Sequence, residues 1–481
     1  MLFNSFEFLF FLPIVIVLYW FVFKPRRWQN LLVVIASYIF YGWWDWRFMF
    51  LIAFTSICSF VSGLLIERFE GNRNYQKTVS AINIIINLGI LVAFKYFNFF
   101  VENIESIFSA IGWKLDWATV NIILPVGISF YTFQALSYSI DVYQKKIPAT
   151  HHIVEFFAYI SFFPQLVAGP IERATNLLPQ FQSIRHFDYH KAVDGCRQML
   201  WGFFKKMVIA DNCAQIIDES WSNYSELPSV ALIILGILFT FQIYCDFSGY
   251  SDIAIGCARM FGINLSRNFQ LPYFSCSIPE FWRRWHISLM SWLRDYVYIP
   301  LGGSRGGKIR TIANILIVWT ISGLWHGANW TFVCWGLFHA FILILYTLLG
   351  IKTQSNGKPV FSQVMPTVKV LSQMLLTFSI AVIGWIIFRS ESIGQAIGFF
   401  QSMLTNDFYN ADKIQGRLVL IYCFVPIIVE WLQRDKQHAM QLSTCKGVFR
   451  SRLARWSLYL IIFFAIVLLR YGQSDFLYFQ F

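Results

Sequence analysis

Residues 228–250 read PSVALIILGILFTFQIYCDFSGY. A helix needs about 20 mostly apolar residues to cross the hydrocarbon core of a bilayer. This stretch meets that requirement with a single charged side chain, Asp246. Its far end departs from the apolar pattern, because Gln242, Tyr244, Asp246, Ser248, Tyr250, Ser251 and Asp252 crowd between apolar neighbours. Carboxylates at such a depth are costly and usually pair with one another or line an aqueous path. The run therefore predicts a membrane span with a functional end.

The rest of the chain repeats the first half of that pattern. Of 481 residues, 57% are hydrophobic and 13% charged, against about 25% charged in a soluble globular chain. Aromatic residues make up 19%, with 51 Phe and 19 Trp, and Trp and Tyr favour membrane interfaces. Spans are expected near 6–23, 29–44, 48–66, 79–99, 119–140, 195–215, 228–250, 310–325, 330–350, 367–388, 414–432 and 453–470. The apolar segment 153–169 ends in Pro164, Gly169 and Pro170 and reads as a half-span, tolerated at membrane depth only when enclosed by protein or a wet cavity. The expected fold is an all-α integral membrane protein of about 11–13 transmembrane helices plus re-entrant elements. It forms one polytopic domain over 1–481, with 351–366 as an internal linker.

The formal net charge of +12 would suggest nucleic acid in a soluble protein. Here the basic residues have a topological explanation. With the N-terminus outside, 31 of the 38 Lys and Arg fall in cytoplasmic segments, where basic residues are retained and face anionic lipid. Membrane lipid is thus a partner and nucleic acid is not. The nine cysteines include no C-x-x-C pair, which argues against disulfide frameworks and thiolate metal sites. Met1 to Phe23 lacks a basic start and a small-residue cleavage site, so it reads as a retained span.

Chemistry concentrates in 242–345. Phe281-Trp282-Arg283-Arg284-Trp285-His286 is followed by Trp292-Leu293-Arg294-Asp295-Tyr296. Arg283 and Arg284 are expected to bind an acyl donor or to pair with Asp295. Gly302-Gly303-Ser304-Arg305-Gly306-Gly307 is a flexible basic turn whose backbone N–H groups suit a phosphate, but it fits no Walker or dinucleotide pattern, and the plainer reading is a loop before the next span. Then comes Gly323-Leu324-Trp325-His326-Gly327-Ala328-Asn329-Trp330, which places an imidazole between two glycines where an apolar helix ends. A packing histidine is the plain alternative, but an imidazole near the membrane interior is expensive without a task. Its ordinary pKa near 6.5 suits it to take a proton from an alcohol. His286, beside two Arg and near three Trp, is the second candidate. His339 reads as structural.

At these residues the chain resembles the membrane-bound O-acyltransferase family, and closely its alginate O-acetylation branch. The resemblance is carried by Pro125 through Gln134, Phe163 through Ile171, Tyr244 through Asp252, Phe281 through Gly303, Gly323 through Trp330, and Phe388-Arg389-Ser390. It implies a family core over about 120–400, in which a ring of tilted helices surrounds a thinned centre with a tunnel. It implies that His326 is the family's invariant histidine and His286 the second one. Arg283, Arg284, Trp285 and Arg294 are expected on the donor side. It also implies an acetyl group drawn from a cytoplasmic thioester, with acetyl-CoA as donor and no bound cofactor or metal. A separate extracytoplasmic acetyltransferase or esterase-like protein then places the group on a polysaccharide such as alginate, at the bacterial inner membrane.

Other readings fit less well. D-alanyl transfer to teichoic acid from a carrier-protein thioester is the near alternative, and the length and the Trp325-His326-Gly327-Ala328 context favour acetyl transfer. A transporter would show inverted repeats and paired broken helices, and neither is visible. A scaffold for a glycan-export complex leaves the Arg-Trp-His cluster without a reason.

Overall fold

The structure is a computed structural model that describes residues 1–113, 123–351, 366–414, 416–442, 449, 451–470, 472 and 476–477. The expected linker 351–366 lies almost wholly outside these residues. Among the described residues every regular element is helical. Six helices are long and apolar enough to cross a membrane: Phe48–Arg68, Arg73–Lys95, Ser229–Met260, Trp330–Leu348, Val368–Arg389 and Arg452–Leu469. A shorter apolar one covers Phe6–Val22. The chain is an all-α, multi-pass integral membrane protein.

Of the other expected spans, 310–325 is the continuous helix Gly307–His326, and the rest are helical in shorter or interrupted form. Arg26–Gly42 has 17 residues and Arg417–Leu432 has 16. Of the 119–140 segment, 119–122 lie outside the described residues, 123–127 are not helical, and a helix runs over Ile128–Tyr143. The 195–215 segment is a helix, a π-helical turn over Lys205–Ala210, and a second helix over Asp211–Ser220. Apolar composition alone does not reveal where a helix is interrupted, which is why hydropathy suggests about twelve uniform spans.

The chain divides into two compact units. The first comprises Met1–Val193 and Cys257–Ser266. In it Phe48–Arg68 packs against Arg73–Lys95 and Ile128–Tyr143, and nearly all of Ile128–Tyr143 is buried. The half-span expected at 153–169 is two short helices, Ile153–Ser161 and Phe163–Leu166, with buried side chains. Its backbone is satisfied by protein: Gln134 Nε2 and Gln165 Nε2 donate to the Tyr159 carbonyl at 2.7 and 2.9 Å. Enclosure of this kind is what lets broken helix persist in an apolar setting.

The second unit comprises Asp194–Gly256 and Arg267–Phe481. Here Ser229–Met260 approaches the helix Tyr189–Phe204 at points lined with glycine. A Cβ on Gly202 would lie 2.6 Å from the Gly249 carbonyl, and one on Gly256 2.4 Å from the Gly195 carbonyl. Small residues let backbones approach this closely where lipid supplies no hydrophobic drive for association. A second close pair joins Gly307–His326 to Trp330–Leu348. A Cβ on Gly323 would meet the Phe332 carbonyl at 2.2 Å, and one on Gly336 the Trp319 carbonyl at 2.2 Å.

Candidate active site

The close pairing of Gly307–His326 with Trp330–Leu348 decides where His326 sits. His326 is the last residue of the first helix, and Asn329 caps the second by accepting the Thr331 N–H at 3.0 Å. The reversal spans only a few residues, so the imidazole turns into the unit and is 5% exposed. Its ring centroid lies 5.0 Å from Trp325, 5.1 Å from Trp335 and 5.2 Å from Phe388, edge-on each time. Aromatic walls fix a ring's orientation through their quadrupoles and keep bulk water away.

His286 reaches the same wall from another element. It separates the short helices Ile278–Arg284 and Ile287–Leu293 and takes φ 45°. Its ring is edge-on to Phe247 at 4.7 Å and to Trp325 at 5.6 Å. The structure thus brings His286 and His326 onto one indole, that of Trp325. Burial pushes the His286 imidazole down to about 3, so the ring is neutral at neutral pH. A neutral imidazole offers one hydrogen-bond donor and one acceptor.

His339 lies in the same aromatic cluster. Its Nδ1 accepts the Trp282 indole N–H at 3.3 Å, which leaves its own proton on Nε2. A Cβ on Gly384 would come within 2.8 Å of that Nε2, so the ring is tightly packed. Trp282 bridges to Trp319 and Trp335 at 4.7 and 5.4 Å, and Trp285 lies tilted against Trp385 at 4.8 Å.

The four residues expected on the donor side divide by exposure. Arg283 is exposed and Trp285 is buried. Arg284 is buried and pairs with Glu280 at 2.6 Å. Asp295 instead pairs with the exposed Arg294 at 2.8 Å. The expected Arg284–Asp295 pairing is therefore corrected, because Glu280, four residues earlier on the same helix face, is the nearer carboxylate. The glycine-rich turn at 302–307 is a loop. Asn314 Nδ2 and Arg310 Nε donate to the Gly303 and Leu301 carbonyls at 2.8 and 3.1 Å.

One feature of the site was not legible beforehand. Lys205 and Lys206 lie inside the expected span 195–215, and both are buried. Lys205 Nζ lies 2.7 Å from Asp252, donates to Ser248 Oγ at 2.9 Å and lies 3.9 Å from Glu430. Lys206 Nζ lies 2.8 Å from Asp211 and 2.7 Å from Asp246. Tyr244 donates to Glu430 at 2.8 Å, and the Leu477 N–H donates to Asp246 at 2.7 Å. These are the partners that Asp246 and Asp252 required. Lys205, Tyr244, Asp252, Arg267, Asn268 and Glu430 line a polar cleft whose wall includes Phe269, 5.0 Å from Trp285. Among the described residues no cluster of His, Cys, Asp and Glu is arranged to hold a metal ion.

An all-helical membrane protein with two histidines buried on one tryptophan belongs to a small set of classes, and comparison with known proteins selects one. Residues 144–380 match the model of the MBOAT, membrane-bound O-acyltransferase family. The chain is 39% identical over 435 residues to a protein of Pseudomonas aeruginosa named probable alginate O-acetylase AlgI, covering 88% of this chain and 80% of that one. It is 36% identical over the full length of both chains to the Pseudomonas putida protein of the same name. A peptidoglycan O-acetyltransferase of Helicobacter pylori is 31% identical over 95% of this chain and 92% of its own. The chain belongs to the membrane-bound O-acyltransferase family and is an O-acyltransferase.

Proposed function

We propose that this enzyme passes an acetyl group from a cytoplasmic thioester, acetyl-CoA, across the inner membrane for O-acetylation of an extracytoplasmic polysaccharide such as alginate. The observation that carries the reading is the placement of His286 and His326 on the one indole of Trp325. Relatives named for O-acetylation of alginate and of peptidoglycan support both the acetyl group and a glycan acceptor. A separate extracytoplasmic acetyltransferase or esterase-like protein delivers the group to the polymer.

In the proposed step a hydroxyl attacks the thioester carbonyl, the new C–O bond forms and the C–S bond breaks. The hydroxyl proton passes to His326, acting as general base or as a positioned hydrogen-bond partner, and then to the departing thiolate. A placed base contributes on the order of 10²–10⁴ in rate. His286 assists at Trp325, and Arg283, Arg284, Trp285 and Arg294 serve the donor. The test compares acetyl content of the exported polymer with membrane levels of His326→Ala and His326→Gln. Both variants should insert and accumulate without acetylating, since Gln keeps size and hydrogen bonding but not basicity. Normal acetylation by a well-expressed His326→Gln protein removes the base role.

A further inference from the structure

Two short segments run side by side next to His286. The Gln270 N–H donates to the Arg284 carbonyl at 2.9 Å, and the Ile287 N–H donates to the Asn268 carbonyl at 2.9 Å. Between these rungs lies one residue on the first segment, Phe269, and two on the second, Trp285 and His286. Two residues opposite one is the count of a β-bulge, a device that bends the chain and re-aims a side chain. His286 occupies the left-handed region there, one of three non-glycine residues at positive φ among those described. Such a conformation costs about 1–3 kcal/mol and persists only where its surroundings over-determine it.

Asn268 supplies much of that determination. It is 1% exposed, and its Oδ1 accepts the Ser288 hydroxyl at 2.6 Å while its carbonyl accepts the Ile287 N–H. Its Nδ2 donates to Ser251 Oγ at 3.4 Å, at the polar end of Ser229–Met260. One asparagine thus grips both residues that follow His286 and ties them to a long helix. We infer that Asn268 is a positioning residue for the His286 imidazole, holding through Ile287 and Ser288 the bulge that aims the ring at Phe247 and Trp325. This inference rests on the role proposed above for His286.

The experiment uses the full chain in membranes under graded expression. The slope of exported-polymer acetyl content against membrane level gives turnover per inserted molecule. Misplacing a working group by about 1 Å can cost on the order of 100-fold, so Asn268→Ala, which keeps the main-chain rung, should lower the slope roughly tenfold. Ser288→Ala removes the hydrogen bond to Asn268 Oδ1 and should lower it less, and it serves if Asn268→Ala does not fold. His286→Gln should lower the slope by itself, and adding Asn268→Ala to it should lower it no further. If His286→Gln keeps the full slope, the role proposed for His286 fails and the positioning role with it. If His286→Gln loses turnover while Asn268→Ala and Ser288→Ala keep theirs, the positioning role alone is overturned. Losses that multiply in the double variant also overturn it, because Asn268 would then act on the fold and not through the imidazole.

Discussion

The Lys205 ammonium lies 2.7 Å from the Asp252 carboxylate with its side chain 3% exposed. A buried pair of this kind is weak evidence for net stability, but breaking it from one side strands a charge and costs about 3–5 kcal/mol. Lys205→Met should therefore cut thermal stability and membrane accumulation sharply. Replacing Lys205, Asp252 and Glu430 together with apolar residues of similar volume should restore most of the loss. A Lys205→Met protein that melts like the parent would show that the ammonium is dispensable.

Gly336 sets the separation of the helices that present His326. A methyl there meets the Trp319 carbonyl at 2.2 Å, and a backbone group cannot swing aside as a flexible side chain can. Gly336→Ala should destabilise by about 1–3 kcal/mol through overpacking and lower acetylation per inserted molecule by displacing Trp335 from the His326 ring. Gly89→Ala, where nothing lies within 4 Å, is the control and should leave both quantities unchanged. Thermal melts beside polymer acetylation decide the matter.

The split of basic residues predicts that 251–310 faces the cytoplasm and that the N-terminus lies outside. Ser222 and Ser304 are both exposed. Single cysteines at these positions, in a background without other reactive thiols, should label from opposite faces of the membrane with an impermeant reagent. Labelling of both from outside would contradict the orientation.

Arg284 has a structural partner in Glu280 and a proposed role toward the donor. Hydrogen bonds to charged groups are worth about 1.5–3 kcal/mol, so Arg284→Ala should raise the donor KM in purified protein tenfold or more while kcat changes less. Glu280→Gln, which leaves the guanidinium in place, should change donor KM less than Arg284→Ala does. An unchanged donor KM in Arg284→Ala would leave the residue with a packing role only.

Much of the fold was legible because lipid imposes one simple demand, a long apolar helix, and 228–250 states it without ambiguity. His326 and His286 stood out because ionisable and small residues are conspicuous in apolar runs. The interruptions were not legible. The π-helical turn over Lys205–Ala210 leaves no mark in hydropathy, and it is this turn that carries two lysines inward.

The sequence by itself therefore determined the solvent, the helical class, the sided distribution of charge and the residues with chemistry to offer. Tertiary structure alone decided which of them meet. Glu430 and Lys205 are separated by more than two hundred residues, and Asn268 grips Ser288 through a bulge that local propensity does not encode. Periodicity and composition report the environment of each residue. Partners and ring orientations arise only when the helices pack, because a buried charge or a strained φ survives only where distant groups compensate for it.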